Sequence, residues 1–249
     1  MSGHSKWSTI KRKKGAVDAK RGKVFTKLIR ELTVAARSGG ADEESNPQLR
    51  TAVQNAKAAN MPMATVERAV SRGSGDDPGE VYEAAIYEGY GSGGVAVLVE
   101  TLSDNKNRTV SEVRHLFNKH GGNLAEKGAV AYLFAQKGLF EVPGDGISED
   151  DLMLAVMDVG AEDIQDQGDV FEILCPVEQF QAVKQALDDN GISVAQASLA
   201  WVPQTLTAVE GHQAEKMVRL LEGLEELDDV QKVFSNFDVQ DEELEKLLA

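Results

Sequence analysis

Gly73-Ser74-Gly75-Asp76-Asp77-Pro78-Gly79 is the stretch on which the fold turns. Glycine, proline and short polar residues interrupt both helix and strand, so the run reads as a linker. Before it, apolar residues recur at helical spacing. Val24, Leu28, Ile29, Leu32, Ala35 and Ala36 fall on one face, and Gly39-Gly40 ends that helix. Asn46-Pro47 supplies an N-cap and a proline at the first helical position, and Leu49, Ala52, Val53 and Ala56 continue one stripe. Asn60-Met61-Pro62 breaks it. A shorter helix over 63–71 turns Val66 and Val70 inward, and Gly73 closes it. No strand pattern precedes residue 80.

After the linker the period changes to two. Residues 81–90 and 94–102 read as strands joined by Gly91-Ser92-Gly93. A helix over 109–120 turns Val110, Val113, Leu116 and Phe117 inward, and a strand follows over 130–134. The next elements are a strand over 139–142, a helix over 148–159 capped by Ser148, strands over 162–165 and 170–174, a helix over 177–189 and a strand over 192–202. That βαββαβ order is ferredoxin-like. The remaining helix over 213–224 and strand over 230–237 cannot bury a core alone and would complete the earlier set. Residues 240–249 read as a short surface helix. The expected fold class is α+β, with a small N-terminal helical domain followed by two ferredoxin-like α/β domains, one inserted in the other. The expected domains are 1–79, 80–136 plus 204–249, and 137–203.

The formal net charge of −15 conceals an uneven distribution. Residues 1–72 hold 15 Lys+Arg against 6 Asp+Glu, a net of +9, whereas the remainder hold 11 against 35, a net of −24. Such asymmetry suggests a polyanion-binding module on an acidic body. The single cysteine, Cys175, excludes an internal disulfide framework and fits a reducing compartment. The strand-like residues around it point to a buried, inert thiol. The basic start has no apolar core of a signal peptide, and no apolar run approaches a membrane span. The expected location is therefore the cytoplasm, without membrane contact.

Little in the chain resembles catalytic machinery. His4, His115, His120 and His212 share no metal-pair spacing, and one cysteine makes no zinc motif. Gly89-Tyr90-Gly91-Ser92-Gly93-Gly94 lacks the Lys-Ser/Thr ending of a phosphate loop and joins two strands, so it reads as a hairpin connection. Acidic pairs such as Asp150-Asp151, Asp188-Asp189 and Asp228-Asp229 sit at helix starts or turns, where capping explains them. No nucleophile, base and oxyanion donor assemble. A non-enzymatic protein without a cofactor is expected.

The positive signal is basic. Lys6, Lys11, Arg12, Lys13, Lys14, Lys20, Arg21, Lys23, Lys27 and Arg30 crowd together with only Asp18 against them. Lysine and arginine displace the counterions condensed on nucleic-acid phosphates, so these residues and Trp7 are the candidate nucleic-acid-binding set. Trp7 has two readings, stacking on an unpaired base or anchoring the arm to its own domain. Arg68 and Arg72, one turn apart, extend the basic face or form a solvated helix side. No helix-turn-helix, zinc-finger or basic-zipper pattern accompanies the charge.

Ser2-Gly3-His4-Ser5-Lys6-Trp7 and Ile10-Lys11-Arg12-Lys13-Lys14 resemble the opening signature of the YebC/PmpR family. Asp18, Arg21, Phe25, Lys27, Gly39-Gly40 and Asn60-Met61-Pro62 are similar to it as well. So are Tyr87-Glu88-Gly89-Tyr90, Thr101, Asp104-Asn105, Asn107-Arg108-Thr109 and Ser235-Asn236-Phe237. The resemblance runs along essentially the whole chain. It implies one helical and two α/β domains. It also implies a regulator of gene expression: the family carries the name of transcriptional regulator, and some members are reported to bind promoter DNA. Mitochondrial relatives look like translational activators of a cytochrome oxidase subunit, and bacterial members are linked to ribosomes stalled on proline-rich stretches. Two readings follow, a translation factor on ribosomal RNA and a regulator on duplex DNA. Ribosomal proteins are further candidate partners, and a monomer is favoured.

Overall fold

The computed structural model describes residues 17–75 and 81–248. Helices α1 (Val17–Gly39), α2 (Pro47–Ala58) and α3 (Met63–Ser74) come first. Asn46 is the N-cap of α2, as its place before Pro47 suggests: its side chain accepts from the Leu49 N–H at 3.0 Å. The same amide donates to the carbonyls of Ala35 (2.8 Å) and Gly40 (2.9 Å), tying the end of α1 to the start of α2. Leu49, Ala52, Val53 and Ala56 pack inward against Leu32, Ala35 and Ala36. Gly73 does not end α3. It lets α3 close on α1, because a Cβ there would lie 2.3 Å from the Thr33 carbonyl oxygen and 2.8 Å from Ala36 Cβ.

The chain then forms β1 (Glu83–Tyr90), β2 (Ala96–Ser103), α4 (Lys106–Lys119) and β3 (Asn123–Ala125). Next come β4 (Phe134–Pro143), α5 (Glu149–Val156), β5 (Asp163–Asp166), β6 (Val170–Pro176), α6 (Phe180–Asp189) and β7 (Gln196–Pro203). Last are β8 (Thr207–Ala208), α7 (Gly211–Glu226), β9 (Val230–Ser235), β10 (Phe237–Asp238) and α8 (Asp241–Leu248).

The architecture is α+β, with two four-stranded sheets after the helices. The first sheet runs β3-β1-β2-β9 and the second β5-β6-β4-β7, with every neighbouring pair antiparallel. The second is the ferredoxin-like βαββαβ arrangement, its helices α5 and α6 burying Leu152, Val156, Val183 and Leu187 against Phe140 and Ile173. The first has the same two-helix layering, with chain order ββαβ before β4 and αβ after β7. There α4 and α7 bury Phe117, Met217 and Leu221 against Val97 and Val99. Its other face, Ala96 and Leu98, packs with Phe134, Leu139, Ala200 and Phe234 between the sheets. Covering on both faces explains why residues 95–99 are apolar without alternation.

Two strand readings differ from the structure. The strand expected at 139–142 lies within a longer one, β4, which starts at Phe134, whereas most of the strand expected at 130–134 is not a strand: Ala131–Leu133 is a single 3-10 turn. Gly138 looks like a break in sequence but marks a close approach: a Cβ there would lie 2.6 Å from Cys175 Sγ and 2.8 Å from Phe180 Cδ2. Strand β3 has three residues, too few to show a period. Cys175 itself is fully buried, and burial pushes its thiol up to about 11, which keeps it protonated and inert.

Candidate nucleic-acid interface and its anchorage

Helix α1 carries the basic sequence into the fold. Lys6, Trp7, Lys11, Arg12, Lys13 and Lys14 lie outside the described residues, and Lys20 and Arg21 are placed on α1 by backbone alone. Lys23, Lys27 and Arg30 recur at intervals of four and three, which puts them on one stripe of the helix.

That stripe faces the C-terminal end of α7. Lys23 Nζ donates to the Glu226 carbonyl at 3.0 Å, and Lys27 Nζ donates to the Glu225 carbonyl at 3.0 Å. The last carbonyls of a helix have no intrahelical donor and carry the negative end of its dipole, so they are natural seats for ammonium groups. Arg30 continues the contact. It donates to the Leu102 carbonyl at 3.2 Å and to the Asp228 carbonyl, and it lies 5.2 Å from the centre of the Tyr82 ring. Three residues with the chemistry of phosphate ligands thus brace the helical unit against the first sheet.

Asp229 is the centre of that junction and is 3% exposed. Arg30 lies 2.9 Å from one carboxylate oxygen. Thr109 Oγ1 (2.7 Å), Ser103 Oγ (3.0 Å) and the Arg108 guanidinium (2.7 and 3.0 Å) surround the carboxylate. Burial alone would raise the Asp229 carboxyl, but the hydrogen bonds from Thr109, Arg108 and Ser103, with the Arg30 charge, outweigh it and hold the group below its ordinary value. Asn105 caps α4 by accepting from the Arg108 N–H at 3.1 Å, and Asp104 pairs with Arg108 at 2.7 Å.

Two further motif residues, Glu88 and Asn236, are buried. The Glu88 carboxylate accepts the backbone N–H groups of Gly128 (2.6 Å), Val130 (2.8 Å) and Ala131 (2.9 Å). Burial opposes its ionisation, and these three bonds overcome that and keep the carboxyl below its usual range. Tyr90 donates to the Ala129 carbonyl at 2.8 Å. Asn236 accepts from the Ala96 N–H at 2.8 Å and donates to Thr207 Oγ1 at 3.0 Å. The sequence links these motifs to a family but not to Asp229, whose partners are over a hundred residues away in the chain.

The helical unit also contacts the second sheet. Asn55 both donates to and accepts from the Ala197 backbone, at 3.0 and 3.1 Å, and the buried Lys184 donates to Thr51 at 3.0 Å. A crevice of about 610 Å³ lies where the three parts meet, with Glu31, Glu100 and Lys232 on its wall. Glu100 accepts from Trp201 Nε1 at 2.8 Å, and Lys232 donates to the Leu199 carbonyl at 3.1 Å. Burial pushes the Glu31 carboxyl above its ordinary value. On the outer side of the helical unit Lys57, Arg68 and Arg72 are exposed. Among the described residues no cluster of three or more His, Cys, Asp or Glu side chains is arranged to hold a metal, and no helix is long and apolar enough to cross a membrane.

Comparisons with known proteins place this geometry in a family. Residues 5–76 match the TACO1/YebC protein N-terminal domain, and residues 82–237 match the TACO1/YebC second and third domain. A probable transcriptional regulatory protein of Desulforapulum autotrophicum is 55% identical over 97% of this chain and 98% of its own length. One from Koribacter versatilis is 53% identical over 99% of each chain. The crystal structure of a conserved hypothetical protein from Aquifex aeolicus is 48% identical and superposes with a TM-score of 0.86, covering 90% of this chain and 93% of that one. With the family's N-terminal, second and third domains matched in order over nearly its whole length, the chain belongs to the TACO1/YebC family.

Proposed function

We propose that the protein is a non-enzymatic, nucleic-acid-binding regulator of gene expression, and that it acts as a cytoplasmic translation factor on ribosomal RNA, assisting synthesis of proline-rich sequences. The observation that supports the reading is that the inner end of the basic segment is used within the fold. Lys23, Lys27 and Arg30 brace α1 against α7 and Asp229. Phosphate contact is therefore assigned to Lys6, Lys11, Arg12, Lys13, Lys14, Lys20 and Arg21, with Trp7 stacking on an unpaired base. Residues 73–249 carry a net charge of −24 and repel a long duplex laid across the molecule. A folded RNA offers unpaired bases and local phosphate clusters that a short basic segment can reach. We further propose that residues 137–203 form an inserted unit of the α/β body.

The test is a competition between purified ribosomes and mixed genomic duplex fragments for labelled protein, titrated with salt. Retention on ribosomes at high salt, lost when Lys11, Arg12, Lys13 and Lys14 are changed together to alanine, is the expected result. Retention on a subset of duplex fragments instead overturns it. That outcome supports the second reading, a DNA-binding regulator acting at promoters, which the names of the relatives favour.

A further inference from the structure

Helix α5 buries Leu152 and Val156 and shows a second apolar face outward. Met153, Leu154 and Met157 are exposed by 42%, 83% and 44%. Met153 and Met157 are one turn apart with Leu154 beside them, so the three form one patch. Leu154 also lines a solvent-open groove of about 590 Å³, whose other walls include Val142, Pro143, Ile147 and Ile192.

The setting of this patch is strongly acidic. Residues 137–203 contain 14 Asp+Glu and 2 Lys, a net charge of −12. Both lysines are engaged in the fold, Lys184 with Thr51 at 3.0 Å and Lys137 with Glu162 at 2.7 Å. Glu149, Asp150 and Asp151 stand on the first turn of α5, and Asp145 lines the groove. Such a field excludes nucleic acid and attracts cations. An apolar cluster inside it selects a cationic partner that also carries an apolar side chain.

We propose that the outer face of α5 and its adjoining groove form a docking surface for a lysine- or arginine-rich protein segment with an apolar anchor. Leu154 is the central contact, and the surrounding carboxylates steer the segment in. The surface shares no residue with the basic segment, so the proposal stands whether that segment engages RNA or DNA.

The test uses full-length protein and two labelled lysine-rich peptides of equal length and charge, one carrying leucines where the other carries serines. Fluorescence polarisation should show the leucine peptide binding about ten-fold tighter, as expected for burial of a leucine-sized apolar surface. In a Leu154→Ser/Met157→Ser variant the ratio should fall to about one, with the serine peptide unaffected. Leu154→Ser alone, at the most exposed position, should reproduce part of the loss without risk to the fold. Equal affinity of both peptides for the unmodified protein, or a ratio unchanged in the variants, overturns the proposal. A tighter leucine-peptide complex when Lys11, Arg12, Lys13 and Lys14 are neutralised overturns it in favour of the chain's own basic segment as occupant. Self-association abolished by Leu154→Ser/Met157→Ser overturns it in favour of a second copy.

Discussion

Arg30 of α1 and Asp229 before β9 meet at 2.9 Å, with side chains 12% and 3% exposed, and their contact joins the helical unit to the first sheet. Removing the carboxylate takes away the acid shared by Arg30 and Arg108 and an acceptor used by Ser103 and Thr109. Breaking a buried ion pair by deleting one partner costs about 3–5 kcal/mol. Asp229→Ala is expected near the lower end, since Arg108 reaches water, and urea unfolding measures it. The sign with pH follows from the lowered carboxyl. Its contribution is fully present above the unfolded value of about 3.9 and is lost as pH falls through the lower folded value. The curves for Asp229→Ala and the unmodified protein should therefore converge at acid pH, and a constant gap would contradict this account.

Glu31 has the opposite sign. Burial raises its carboxyl, with Glu100 adding to the effect and Lys232 and Lys27 opposing it. A raised group favours the fold at pH values below its unfolded value, and that contribution is lost as pH rises through the folded one. Glu31→Gln is expected to raise Tm at neutral pH and to change it little at acid pH. A neutral-pH scan with unchanged or lower Tm would show that the carboxylate is stabilised by its surroundings.

Gly73→Ala sets two effects against each other. Alanine is favoured over glycine inside a helix by about 1 kcal/mol. The added Cβ, however, would meet the Thr33 carbonyl oxygen at 2.3 Å, and that atom belongs to backbone that can yield only by moving α1 from α3. Overpacking costs about 1–3 kcal/mol. Net destabilisation should appear in chemical unfolding, whereas a gain would show that the helices separate at little cost.

Salt dependence distinguishes the bracing role from the proposed phosphate role. Each phosphate neutralised contributes roughly 0.7–0.9 to the slope of log affinity against log salt. Lys13→Ala should reduce the slope by about that amount. Lys27→Ala should leave the slope unchanged and lower the unfolding midpoint, because its ammonium is used on the Glu225 carbonyl. Equal slope changes for both would return Lys27 to the phosphate-binding set.

Local features are legible in the amino-acid sequence by itself. The cap at Asn46 and the helical stripe of Leu49, Ala52, Val53 and Ala56 depend on neighbours a few positions away, and short-range rules capture them. The alternation of strands and helices that builds the second sheet is visible for the same reason, as is the concentration of cations ahead of Glu31. Tertiary structure decides which cations remain for a partner. Lys23 meets the Glu226 carbonyl 203 positions away, and Arg30 meets Asp229 from the far side of both sheets in sequence. It also decides that Gly138 lies inside a strand and that Gly73 is a helix contact, since both depend on atoms brought close only by packing. Periodicity and capping are properties of a short piece of backbone, whereas the partner of a charged or missing side chain is chosen by the fold that surrounds it.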